Sequence, residues 1–153
     1  MRALGFFGLL SLVVFLGGCS NDEIITPQEQ LERDIAAIDA YLASEGIDAI
    51  EDPSGLRYVV NVAGTGTTPS IASQVTTNYE GRFFDGGVFD SGNGVSFPVN
   101  GVIVGWQIML TKMNQGDEVT VYIPSGLAYG TRGQGSIPPN TNLIFDITLI
   151  DVF

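Results

Sequence analysis

From residue 56 to the C-terminus, apolar and polar side chains alternate in short runs broken by Gly, Pro and Asp. Only one stretch there, residues 103–112, has the apolar density of a helix. Alternation at period two marks half-buried strands. The runs at 56–62, 75–83, 118–123 and 142–153 read as strands, with Asp85-Gly86 as a turn signal leading into Val88-Phe89. Residues 64–70, rich in Gly, Thr and Pro, read as a loop, and Gln115-Gly116-Asp117 ends the helix. Several strands around one short helix make an antiparallel α+β domain. A chain of 153 residues suits one such domain with appendages.

Residues 26–46 form the first appendage. Thr26 reads as an N-cap, Pro27 as the first helical residue and Glu29 as the far side of a capping box, with Gly46 as the C-terminal cap. Leu31, Ile35, Ile38 and Leu42 lie on one stripe at helical spacing. The stripe must bury against something: most simply the flank of the following domain, alternatively a second copy of the chain in a helix-mediated dimer. Asp52-Pro53-Ser54-Gly55 then separates the helix from the domain.

Residues 1–18 belong to neither. Arg2 is followed by an apolar run through Gly18, and polar sequence begins at Ser20, which is the layout of a secretory signal. The run is shorter than the roughly 20 residues of a spanning helix and ends in small residues rather than a basic flank. Leu16-Gly17-Gly18-Cys19 resembles a bacterial lipobox, which implies cleavage before Cys19 and acylation of its thiol. The alternative is a secreted protein with an idle or buried thiol. Acyl chains contribute about 0.8 kcal/mol per buried methylene and would tether the protein to a membrane without spanning it. Residues 19–25 then form an acidic tether, and Ser20-Asn21-Asp22-Glu23 is similar to the surface-export signals of some Gram-negative lipoproteins. This organisation places the protein in the cell envelope of a Gram-negative bacterium, on the outer membrane, facing the periplasm or the surface.

Seventeen acidic against six basic residues give a formal charge of −11, which speaks against nucleic-acid binding and against adsorption to anionic headgroups. The membrane is reached through the lipid alone. With no histidine and one cysteine, Ser-His-Asp and Cys-His catalysis and the usual zinc sites are excluded, and acylation of Cys19 would leave no thiol for a disulfide. No cofactor is implied.

One ordered string remains: Val102-Ile103, Gly105-Trp106, Ala128-Tyr129-Gly130, Ile137-Pro138-Pro139 and Phe145-Asp146, preceded by Asn78-Tyr79-Glu80-Gly81 and by residues 85–91, Asp-Gly-Gly-Val-Phe-Asp-Ser. Together these resemble the FK506-binding-protein family of peptidyl-prolyl isomerases, over about residues 56–153. The resemblance implies a curved antiparallel sheet wrapped on the single helix. It also implies a pocket for an X-Pro segment, with Trp106 as floor and Tyr79, Phe89, Phe97, Val102, Ile103 and Phe145 as walls. Taken singly, each aromatic is more simply core, since Phe and Trp are mostly buried anyway. Their joint occurrence at family positions favours the pocket.

By the same resemblance, the Tyr129 hydroxyl and the Ile103 backbone N–H donate to the bound peptide. Asp90 faces the amide carbonyl or fixes Tyr79; read from local sequence alone, it is a turn residue before Ser91-Gly92. Ile137 closes over the substrate from a loop made flexible by Gly130, Gly133 and Gly135. Tyr79, Asp90 and Tyr129 are thus the expected catalytic groups. The partners implied are proline-containing polypeptides and FK506-like macrolides. Val104 stands where this family often has a basic residue, and the Tyr129–Ile137 loop is slightly short and lacks a histidine sometimes found there, departures that touch the rim and bear on substrate preference. Two functions follow: an isomerase assisting the folding of envelope or secreted proteins, or a catalytically weak module of the same fold that binds or chaperones clients.

Overall fold

The computed structural model describes residues 25–153. The expected signal segment, the lipidation site Cys19 and the tether up to residue 24 lie outside the described residues.

Helix α1, Pro27–Glu45, begins where the sequence marks it. The Thr26 hydroxyl accepts from the Glu29 N–H, and the Glu29 carboxylate accepts from the Thr26 N–H, so two otherwise orphaned donors are met. It ends on Gly46, whose φ of 66° suits the left-handed cap. Strands β1 (Ile50–Glu51), β2 (Arg57–Val62), β3 (Gln74–Arg82) and β4 (Val88–Pro98) follow, then helix α2 (Val104–Leu110), β5 (Glu118–Ile123) and β6 (Leu143–Val152). They form one sheet in the order β1-β2-β5-β6-β3-β4, antiparallel throughout.

Side-chain parity divides the sheet into two faces. Val119, Val121 and Ile123 of β5, with Leu143, Phe145, Ile147 and Leu149 of β6, join Trp106, Met109 and Leu110 of α2 in the main core. Tyr122 and Ile144, of the opposite parity and directly paired across the ladder, form a second core with Ile38 and Leu42 of α1. The apolar stripe of α1 is therefore occupied within the same chain. Burying an Ile or Leu side chain is worth about 1.5–3 kcal/mol, so Ile38 and Leu42 favour docking of the helix on the sheet. Arg57 reinforces the docking by donating to both carboxylate oxygens of Asp39, at 2.8 and 3.1 Å.

The structure corrects one expectation, the extent of α2, and adds detail at β4 and β1. α2 is shorter than 103–112 at both ends: Ile103 is its N-cap, and the Thr111 hydroxyl donates to the Gln107 and Ile108 carbonyls as the helix closes. β4 does not turn at Asp90-Ser91-Gly92 but runs on to Pro98. A bulge between Thr77 and Tyr79 absorbs its irregular stretch, and Asp90 is a strand residue facing Gly81. The two-residue β1 carries too little alternation to read from sequence.

α2 lies very close to the sheet. A Cβ on Gly105 would come within 2.6 Å of the Ile123 side chain, so the glycine is what lets the first turn of α2 approach β5 closely. The far end of α2 is held by Lys112, whose ammonium meets the buried Asp52 carboxylate at 2.7 Å.

Candidate functional site

On the α2 side of the sheet, β3, β4, β6, α2 and the 124–142 connection surround a cavity of about 300 Å³. Trp106 is its organising ring. It is 4 % exposed, and three aromatics stand nearly perpendicular to it: Tyr79 at 5.3 Å between centroids, Phe145 at 5.3 Å and Phe97 at 5.9 Å. Edge-to-face contacts put the positive rim of one ring on the negative face of another, a favourable arrangement that also leaves an angular space between the rings. Val102 and Ile103, on the bend entering α2, complete the apolar wall.

Few polar groups enter this space. The Tyr79 hydroxyl donates to Asp90 Oδ2 at 3.0 Å, which supports the positioning role of Asp90. Tyr129 and Ile103 also line the cavity, and neither the Tyr129 hydroxyl nor the Ile103 backbone N–H donates a hydrogen bond among the described residues. The buried Trp106 Nε1–H likewise finds no acceptor among them. Burial, and then the hydrogen bond to the Asp90 carboxylate, push the Tyr79 phenol above its ordinary pKa; burial, and then the Asp90 charge, do the same for Tyr129. Both phenols therefore stay protonated, as donors, at neutral pH.

Eight of the ten expected side chains thus surround one space: Tyr79, Asp90, Phe97, Val102, Ile103, Trp106, Tyr129 and Phe145. Phe89 and Ile137 do not line it. Phe89 stands behind the wall, edge-on to Phe145 at 5.4 Å and tilted against Phe83 at 5.0 Å. Ile137 is turned into the main core, 7 % exposed. Its loop is more ordered than its glycines suggest. The Gly133 N–H donates to the Tyr129 carbonyl, Gln134 and Ile137 exchange backbone hydrogen bonds, and the Asn140 N–H donates to the Gly130 carbonyl.

Two contributors carried no role in the sequence reading. Gly101 lines the cavity at the end of the turn that delivers Val102 and Ile103. Gly81 lies beneath Phe89 and Phe145, whose rings approach to 2.6–2.7 Å from where a Cβ would stand. Its place in the Tyr79-Glu80-Gly81 motif was the available signal.

The sequence profile of FKBP-type peptidyl-prolyl cis-trans isomerases matches residues 65–150, more than half of the chain. The chain belongs to this family. A relative named peptidyl-prolyl cis-trans isomerase Mip, from Coxiella burnetii, is 47 % identical over 104 residues, 65 % of this chain and 45 % of its own length. Outer membrane protein MIP of Legionella longbeachae is 41 % identical over 133 residues, 81 % of this chain and 56 % of its own. The chain spans about half the length of these relatives. The crystal structure of a peptidyl-prolyl cis-trans isomerase from Pseudomonas syringae superposes with a TM-score of 0.70 at 34 % identity, covering 79 % of this chain and 94 % of that one. The sheet wrapped on α2 is thus the FKBP fold, with α1 added on its outer face.

Proposed function

We propose that the protein is a peptidyl-prolyl cis-trans isomerase acting on X-Pro segments of polypeptides that fold in a Gram-negative envelope. The observation that carries this reading is the Trp106-centred cavity: three edge-on aromatic rings, two aliphatic walls and a handful of polar groups.

No covalent bond breaks in prolyl isomerisation. The obstacle is the roughly 18–20 kcal/mol needed to rotate the amide out of conjugation. The twisted amide has lost its resonance and much of its charge separation, so an apolar cavity favours it over the planar, dipolar ground state. In this reading the proline ring rests on Trp106 between Tyr79, Phe97 and Phe145. The Tyr129 hydroxyl and the Ile103 N–H hold carbonyls of the peptide backbone, while Asp90 holds Tyr79 in place. Phe89 and Ile137 act from outside the lining, Phe89 by backing Phe145 and Ile137 by anchoring the Tyr129 loop in the core. Uncatalysed isomerisation takes tens to hundreds of seconds, slow enough to limit folding, so modest selectivity for the twisted state is useful.

The same cavity suits an FK506-like macrolide as competitor. Cys19 bears the lipid after removal of residues 1–18, anchoring a monomer to the outer membrane. The single-chain packing of the α1 stripe and the outer-membrane name of the Legionella relative support that setting. Among the described residues no helix is long and apolar enough to cross a membrane.

The deciding experiment is a proline-peptide isomerisation assay on the full chain, with and without FK506. Acceleration that FK506 abolishes is expected; folded protein that accelerates nothing overturns the proposal. Mass spectrometry of the membrane-bound protein tests the anchor, which Cys19→Ser should remove.

A further inference from the structure

We infer that Asp34, on α1 and outside the segment matched by the family profile, is a positioning residue for the loop that carries Tyr129. The inference rests on the isomerase reading for its functional meaning and on geometry for everything else.

Asp34 is buried, 3 % exposed, on the face of α1 that meets the domain, and has no cationic partner among the described residues. An apolar residue there would dock the helix as well, as Ile38 and Leu42 already do one and two turns later. A buried carboxylate is tolerated only where fixed donors replace water. Here they come mainly from across the fold. Asp34 Oδ2 accepts from the Ser125 N–H at 2.8 Å and from the Ser125 hydroxyl at 2.6 Å, while Gln30, one turn earlier, holds Oδ1 at 2.7 Å. The backbone carbonyl of Asp34 accepts from the Asn142 side chain at 3.2 Å, and Asn142 Oδ1 in turn accepts from the Ser125 N–H at 3.0 Å.

Ser125 and Asn142 lie at the two ends of the β5–β6 connection. Ser125 opens the turn Ser125–Leu127, and its carbonyl takes the Ala128 N–H at 3.0 Å, immediately before Tyr129. Asn142 immediately precedes Leu143, the first residue of β6. One residue of α1 therefore closes both ends of the loop bearing Tyr129, the Ser125 end through its side-chain carboxyl and the Asn142 end through its backbone carbonyl. The N-terminal helix is in this way part of the apparatus that aims a substrate-binding hydroxyl.

The test compares the full chain with its Asp34→Asn, Ser125→Ala and Ile38→Val variants, by isomerisation kinetics and by amide hydrogen exchange. Asn at 34 keeps the shape but replaces one carboxyl oxygen by an amide group that cannot accept, and Ser125→Ala removes one donor gently. Each should raise KM about five- to twentyfold with kcat within about twofold, as expected when uniform binding is lost. Exchange should quicken within residues 126–142 while the sheet stays protected. Ile38→Val, which thins α1 packing without touching the polar network, should lower the melting temperature and leave KM unchanged. An unchanged KM in Asp34→Asn at equal folded fraction overturns the inference, as does exchange that quickens evenly over the whole domain. If the wild-type chain isomerises nothing, the isomerase reading is what fails, and exchange alone decides: selective loosening of 126–142 upholds the positioning role, and its absence ends it.

Discussion

Tyr79 and Asp90 are joined across the β3–β4 ladder by a 3.0 Å hydrogen bond from phenol to carboxylate, at the edge of the cavity around Trp106. The bond fixes the tilt of the Tyr79 ring, and that ring is one of the three that stand on Trp106. Tyr79→Phe keeps the ring and loses the bond. A hydrogen bond to a charged group is worth about 1.5–3 kcal/mol, part of which solvent restores at an exposed carboxylate, so kcat/KM should fall about three- to tenfold. A proline-peptide assay measures this; a variant indistinguishable from wild type shows that packing alone holds the ring.

Tyr129→Phe removes a donor with no partner among the described residues, so it should leave the melting temperature unchanged and raise KM. The pH profile carries a related expectation. Both cavity phenols titrate above their ordinary value, and the protonated phenol is the donor, so activity should be flat through neutral pH and fall only above about pH 10. The chain contains no histidine to place a step near neutrality. A profile with a clear break between pH 6 and 8 would contradict this assignment of donors.

Gly81→Ala places a methyl group into the rings of Phe89 and Phe145. Overpacking of this kind costs about 1–3 kcal/mol. Urea denaturation should show that loss, accompanied by weakened competitor binding because Phe145 is a cavity wall. A stable variant with normal binding would mean that Phe89 has room to swing outward.

Burial opposes ionisation of Asp52, but hydrogen bonds from Lys112 and Ser54 outweigh it and hold the carboxyl at about 2, below its usual 3.8. A depressed folded-state pKa adds stability that is complete above the unfolded value and is lost as pH falls through the folded one. The window here is about pH 4 down to 2, and the contribution at neutral pH is about 2 kcal/mol. Lys112→Ala should lower stability throughout the range above about pH 4, neutral and mildly alkaline pH included, and move the acid-unfolding midpoint upward, as followed by far-UV circular dichroism. An unmoved midpoint would show that the Ser54 hydrogen bonds suffice.

Legibility in the sequence followed the physics of each feature. The capping box at Thr26 and Glu29 and the alternation along β5 and β6 are local patterns, and they predicted their elements closely. The cavity side chains were legible through resemblance, since nothing in the spacing of Tyr79, Trp106 and Phe145 reveals that their rings meet at right angles. At Asp90 the local sequence favoured a turn, since Asp-Ser-Gly-Asn-Gly is turn chemistry, while the resemblance set it beside Tyr79; pairing with β3 holds that stretch extended. Ile137 pointed the wrong way because a loop's hydrogen-bonding partners, not its glycine count, decide which side chains turn inward. The Asp34–Ser125–Asn142 network joins residues far apart in the chain through single side chains, and no periodic signal encodes that.

Trp106 is the only tryptophan in the chain, and it lies against the cavity rather than elsewhere in the core. Its intrinsic emission is therefore a built-in optical gauge of whether the cavity is empty or filled. Candidate occupants can be titrated against unmodified protein without a dye, a coupled reaction or a chromogenic peptide.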